Sequence, residues 1–185
     1  MIIAIDGNHG VGKSTLINYL KEYYIDNNNV VFIKYPSYTD IGILAKSKVG
    51  IENNDIVSLL FAADLTNCYY KNIIFESKKI YILDRYVLSL FTFQGEVNNE
   101  NYNFLHNITS RIKYPDIQII IHKKDDNINT DLDPFVIMAR KMNVDGLITN
   151  IFIVENTFGT RDNPNLTAFE KIRLIIDNAI KEYIE

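Results

Sequence analysis

Gly7-Asn8-His9-Gly10-Val11-Gly12-Lys13-Ser14 follows the apolar run Met1-Ile2-Ile3-Ala4-Ile5 and its acidic end, Asp6. The octet satisfies G-x-x-x-x-G-K-[ST] at every fixed position. Glycines at these places let the main chain curl so that several N–H groups point into one hollow and cradle phosphate oxygens. The helix that follows adds the positive end of its dipole. A lysine there reaches the β- and γ-phosphates, and the adjacent hydroxyl meets Mg²⁺. The expected ATP site is Gly7, Asn8, His9, Gly10, Val11, Gly12, Lys13, Ser14 and Thr15, with Lys13 catalytic and Ser14 a metal ligand. The implied cofactor is Mg²⁺, with ATP as phosphoryl donor. A plain glycine turn is the bland alternative, but the strand before and the helix after supply the context the motif requires.

Outward from this loop, apolar periodicity predicts alternating strands and helices. Short apolar runs at Ile2–Ile5, Val30–Ile33, Ile80–Leu83, Ile117–Ile121 and Ile151–Val154 read as strands, the first of them as one buried on both faces. Helices are expected over Thr15–Tyr24, Ile56–Phe75 and Asp133–Met142, and in a closing segment that places Phe169, Ile172, Ile176 and Ala179 inward. Leu16, Tyr19, Leu20 and Tyr23 form the inward stripe of the first helix. Asn53 or Asn54 would cap the long helix, Gly146 would stop the next, and Thr167 with Glu170 would form a capping box. The expected fold is α/β: a P-loop NTPase-type three-layer sandwich with a five-stranded parallel sheet flanked by helices. Residues 1–185 read as a single nucleotide-kinase-like domain with a short lid segment at about 123–132.

Bulk composition narrows the function classes. A chain of 185 residues with 47% hydrophobic and 23% charged residues can bury a real core. The net charge of −4 argues against a non-specific grip on a nucleic acid polymer, which calls for a broad basic face. The single cysteine, Cys68, cannot pair within the chain and reads as a packed thiol in a reducing compartment. No run approaches the ~20 apolar residues that span a bilayer, and the N-terminus lacks a basic flank. A soluble, cytoplasmic protein is expected.

Asp84-Arg85-Tyr86 ends the third strand, and carboxyl ends of such strands are where open α/β sheets bind ligands. A carboxylate there can hold Mg²⁺ or its water shell, and a guanidinium can fork onto a phosphate. The alternative is a structural ion pair. The order of segments is informative: the glycine loop, Tyr35-Pro36 with Ile41-Gly42, Leu59-Leu60-Phe61-Ala62-Ala63-Asp64, Asp84-Arg85-Tyr86 with Ser89, Phe93-Gln94-Gly95, and Tyr114-Pro115-Asp116. From residue 1 to about 122 this series resembles the thymidylate kinase family, as does the tail from Ile151.

The resemblance implies transfer of a phosphoryl group from ATP to a nucleoside monophosphate, with dTMP the favoured acceptor and a homodimer as the assembly. It implies that Lys13, Asp84 and Arg85 are catalytic, with Asp84 near the metal and Arg85 on the acceptor phosphate. It places Tyr35 at the acceptor, Phe61 stacked on its base, Gln94 at the base edge and Phe93 beside the sugar, where a ring disfavours a 2′-hydroxyl. An aromatic in an apolar helix is also common core packing, and for Phe61 that alternative stays open.

The sequence departs from the family's pattern in four places. His9 stands where the family has an acidic P-loop residue, and Tyr35-Pro36-Ser37-Tyr38 lacks an arginine aimed at the acceptor phosphate. Leu65 replaces an arginine that reads the base, and the lid region contains no arginine, leaving Lys123 and Lys124 as its cations. Arg140 on the next helix and Arg161 near the adenine are secondary candidates. Two further readings therefore stand beside the dTMP kinase: a kinase for another or several deoxynucleoside monophosphates, and a nucleotide-binding pseudoenzyme.

Overall fold

Five apolar runs pair side by side in a parallel sheet, the three central ones buried on both faces and the two edge runs only partly covered. In chain order the elements are β1 (Ile2–Asp6), α1 (Lys13–Tyr23), β2 (Val30–Lys34), α2 (Asp40–Lys48), α3 (Asn54–Asn72), β3 (Ile80–Asp84) and α4 (Val87–Gln94). They continue with α5 (Glu100–Thr109), β4 (Ile117–Lys123), a 3₁₀ turn (Thr130–Leu132), α6 (Pro134–Val144), β5 (Ile151–Asn156) and α7 (Leu166–Ile184). The computed structural model describes residues 1–73, 79–95, 100–123, 130–156 and 166–184.

The strand order is β2-β3-β1-β4-β5, every pairing parallel. Alternation along the strands splits the core in two. Ile2, Ala4, Tyr81, Leu83 and Ile120 face the layer of α3, α4, α5 and α6. Ile3, Ile5, Ile80, Ile82, Ile119 and Ile121 face α1 and α7, against Leu16, Leu20, Phe169, Ile172 and Ile176. The expected three-layer sandwich is the observed one.

Several local details differ from expectation. The strands run farther, since polar ends still pair: Lys34 lies beside Asp84, and Lys123 beside Asn156. Tyr23 is 48% exposed, and Ile17 takes the inward place. Thr167 lies inside α7, so it cannot be the cap of that helix. Asn53 does cap α3, its side chain accepting from Asp55 N at 2.7 Å. Asp133 caps α6, accepting from Phe135 N at 2.8 Å, with Pro134 at the first helical position. Gly146, at φ +73°, follows the end of α6 as a stop residue should.

Periodicity gave no sign of α2, α4 and α5. Five consecutive residues of α4, Val87 to Phe91, are buried, which erases any stripe. Cys68 is buried on α3, and burial pushes its thiol up to about 11, so it packs as an inert side chain. Among the described residues, no helix is long and apolar enough to cross a membrane.

Phe169 is 2% exposed and its ring lies 5.8 Å from that of Tyr19, which locks α7 to α1. Phe169→Ala should cost ~3–5 kcal/mol of unfolding free energy in urea titrations. A loss below ~1 kcal/mol would show that α7 does not seal this face.

Candidate active site

Parallel strands deliver their carboxyl ends to one edge of the sheet, and four of them end in charge: Asp6 on β1, Lys34 on β2, Asp84 on β3 and Lys123 on β4. The glycine loop leaves β1 at this edge and runs into α1. Gly7 is required by space, since a Cβ there would sit 2.2 Å from Ile121 O. Gly12 caps α1 at φ +89° with Asn156 packed against it, and Asn156 Nδ2 donates to Val11 O at 2.8 Å. β5 thus props the loop from behind. Asn8 Nδ2 donates to Asp133 Oδ2 at 3.1 Å, which ties the loop to the start of α6. His9 and Gly10 are exposed at the loop's outer rim, as are Ser14 and Thr15 on the first turn of α1.

Lys13 Nζ donates to Asp84 Oδ1, and both groups are buried. The other carboxylate oxygen, Oδ2, lies 3.9 Å from Lys34 Nζ. Ser14, Lys34, Tyr38 and Asp84 line one cavity of about 220 Å³. This donor set suits Mg²⁺, which takes one or two protein oxygens and fills its remaining positions with water and phosphate. Among the described residues, no cluster of three or more His, Cys, Asp or Glu could bind a metal by itself, so phosphate oxygens would have to complete the shell.

Arg85 follows Asp84 in the left-handed region at φ +70° and, among the described residues, is the only non-glycine residue with positive φ. Such strain costs ~1–3 kcal/mol and persists where the surroundings over-determine it. Here they do. Arg85 N donates to Ile5 O at 3.0 Å, and its Nη1 donates to Ser89 Oγ at 3.0 Å. Ser89 Oγ in turn donates to Asp6 Oδ1, while Gln118 Nε2 donates to Asp6 Oδ2 at 3.0 Å. The guanidinium carbon lies 5.3 Å from the Phe93 ring centre and 5.7 Å from that of Phe135. The two rings are edge-to-face, and the His9 ring is 6.3 Å from Phe93. Asp6 is fully buried, and desolvation pushes its carboxyl above the usual range against the pull of Ser89, Gln118, Arg85 and Lys13.

The residues expected at the acceptor divide. Phe93 is 49% exposed beside Arg85. Gln94 is half-buried, its Oε1 accepting from Ser58 Oγ at 3.3 Å. Phe61 is 8% exposed within the apolar cluster of α3 and α4. Tyr35 is a correction: it is 2% exposed and its hydroxyl donates to Phe61 O at 3.0 Å, so it braces α3 and has almost no surface for a ligand. Leu65, at the departure in base reading, is fully buried in the core. Arg140 pairs with exposed Asp131 at 2.6 Å, a surface ion pair. Lys123 ends β4, exposed. Lys124, most of the expected lid and Arg161 fall outside the described residues.

Sequence reasoning gave no role to Asp6, Asp64, Asp133 or Asn156. Asp64 is fully buried and accepts from Ser37 N at 2.7 Å, from Thr39 Oγ1 at 3.2 Å and from Ser37 Oγ, fixing the loop after β2. One signal was readable: a lone carboxylate closing an apolar run, as at Asp6, must find donors.

A glycine loop between β1 and α1, with Asp84 and Arg85 at the end of β3, defines a P-loop nucleotide-binding protein. The family model for thymidylate kinase matches residues 5–130, and the chain belongs to the thymidylate kinase family. A probable thymidylate kinase 1 of Saccharolobus solfataricus is 33% identical over 125 residues, covering 65% of this chain and 64% of that protein. A thymidylate kinase of Helicobacter hepaticus is 28% identical over 141 residues, covering 72% and 71% of the two chains. The chain thus spans somewhat under two thirds of the length of the archaeal relative (64%). The crystal structure of thymidylate kinase from Ehrlichia chaffeensis shares the fold at a TM-score of 0.71 and 21% identity, covering 95% of this chain and 98% of that one.

The raised Asp6 carboxyl has a measurable sign. A group whose folded pKa exceeds its unfolded value near 3.8 stabilises below that value and loses its contribution as pH rises through the folded pKa. Asp6→Asn cannot lose it. The stability of Asp6→Asn relative to wild type should therefore rise as the pH climbs above about 4 in urea titrations. A flat difference would show that burial does not govern this carboxylate.

Proposed function

We propose that the chain transfers the γ-phosphoryl group of ATP·Mg²⁺ to the phosphate of a deoxynucleoside monophosphate, dTMP before others, giving ADP and dTDP. The observation that carries this reading is the convergence of Lys13, Asp84 and Arg85 at one edge of the sheet, in a chain of this family. The amides of residues 7–14 hold the donor phosphates, and Lys13 turns its ammonium from Asp84 to the β- and γ-oxygens. Ser14 and Asp84 would hold the metal, which offsets phosphate charge when bound with the nucleotide. Arg85, anchored through Ser89 and flanked by Phe93 and Phe135, presents its remaining donors to the acceptor phosphate. No covalent intermediate is required, since in-line transfer rests on position and charge.

The presence of Lys13, Asp84 and Arg85 together favours turnover over binding alone. A broader acceptor range is the second reading, favoured by Leu65, whose burial in the core leaves the base without that hydrogen-bonding partner. A homodimer fits the exposed apolar side chains on α2 and α3, among them Ile43, Leu44, Ile56 and Leu59. A cytoplasmic site of action, with no nucleic acid polymer or membrane as partner, fits the net charge of −4 and the nucleotide substrates.

A coupled assay of ADP release across the deoxynucleoside monophosphates tests the reading. dTMP should give the highest kcat/KM, and Lys13→Met should lower kcat roughly 10²–10³-fold. Equal rates for several acceptors would support the second reading. No turnover with any of them would refute the kinase.

A further inference from the structure

Two phosphate chains meeting over Asp84 concentrate negative charge, and the loop after β2 supplies no arginine to offset it. Lysines near this edge differ in how far they are already committed. Lys13 is buried against Asp84, and Lys46 Nζ donates to Pro36 O at 3.0 Å and Ser37 O at 3.1 Å. Lys21 lines the same cavity but sits two turns along α1 from Ser14, on the order of 10 Å away in rise. Lys34 is placed otherwise. It is the last residue of β2, in register with Asp84 on β3, and its side chain is 50% exposed. Its ammonium is 3.9 Å from Asp84 Oδ2, too long for a hydrogen bond, and 5.6 Å from the centre of the Tyr38 ring. Lys46 Nζ lies 5.0 Å from the centre of the same ring.

We infer that Lys34 holds the acceptor's phosphate, supplying from the end of β2 the positive charge that the following loop lacks. This assignment rests on the kinase reading above. β2 and β3 are neighbours in the sheet, so a phosphate gripped by Arg85 from the end of β3 lies within reach of a lysine one strand away, about 4.8 Å across the ladder. Exposure lets Lys34 change partner at little cost. No hydrogen bond to Asp84 breaks when it turns to the phosphate, and the Tyr38 face limits where its flexible stem can swing. A lysine is a point charge without a planar fork, so it adds attraction while Arg85 sets orientation.

Calorimetric titrations of wild type, Lys34→Met and Lys34→Arg with dTMP, thymidine and ATP·Mg²⁺ test the assignment, with dTMP turnover measured alongside. Lys34→Met should weaken dTMP roughly 10- to 100-fold, the worth of a hydrogen bond to a charged group. Thymidine and ATP·Mg²⁺ should bind as to wild type, and Lys34→Arg should restore most of the dTMP affinity. Equal weakening of thymidine and dTMP, or a parallel loss of ATP affinity, would mean a structural role and overturn the inference. A wild type that binds and turns over dTMP, matched by Lys34→Met, removes Lys34 and leaves the kinase reading standing. A wild type that takes up no deoxynucleoside monophosphate removes both.

Discussion

Asp84 is a carboxylate kept 6% exposed, and a charge so withdrawn from water persists only with partners of opposite sign. Lys13 meets one of its oxygens from α1, and Lys34 approaches the other from β2. α1 and β3, far apart in sequence, are thereby fixed to one point. Removing one partner of such a buried pair typically costs ~3–5 kcal/mol, because the other charge is left stranded. That cost makes the geometry specific, and it holds Lys13 at the mouth of the glycine loop. A phosphate is a better partner for Lys13 than Asp84 is, since it offers more acceptor oxygens and more charge. On the proposed reading, the pair holds a cation in place for a polyphosphate.

A second polar line, Arg85 to Ser89 to Asp6 to Gln118, runs from the site into the sheet. It explains why an arginine tolerates φ +70°. The main-chain bond to Ile5 and the side-chain bond to Ser89 together hold the residue in this conformation. Phe93 and Phe135 flank the guanidinium and limit the directions in which its free donors can point. Desolvation raises the Asp6 carboxyl, while its two hydrogen bonds and the nearby cations hold it down. A charge balanced in this way couples the core of the sheet to the orientation of the residue expected on the acceptor phosphate.

The sheet was legible because buried parallel strands are short apolar runs between helices, and this chain has five. The donor half of the site was legible for a different reason: a phosphate cradle needs glycines and a lysine at fixed spacing, so the chemistry is written contiguously. The acceptor half was less so. Tyr35 and Phe61 are aromatic residues whose sequence context is the same whether they pack or bind, and the fold uses Tyr35 as a strut. Asp64 and Asp133 act on residues 27 and 125 positions away, and no local pattern announces such a bond. α4 was hidden because a helix buried nearly all round has no polar face to set its period.

Lys34 shows why a missing motif residue is a weak argument for a missing function. Electrostatic attraction depends on where a charge ends up in space, and neighbouring strand ends in a parallel sheet lie only about 4.8 Å apart. A cation lost from a loop can be supplied from the adjacent strand without altering the fold. The same freedom does not extend to base recognition. Reading a base edge takes hydrogen bonds of fixed direction, and Leu65, sealed in the core, cannot make them. Charge is therefore the easier loss to repair, and selectivity the harder one. On the proposed reading, Lys13, Asp84 and Arg85 supply the charge for the transfer, while selection of the base must rest on contacts other than position 65.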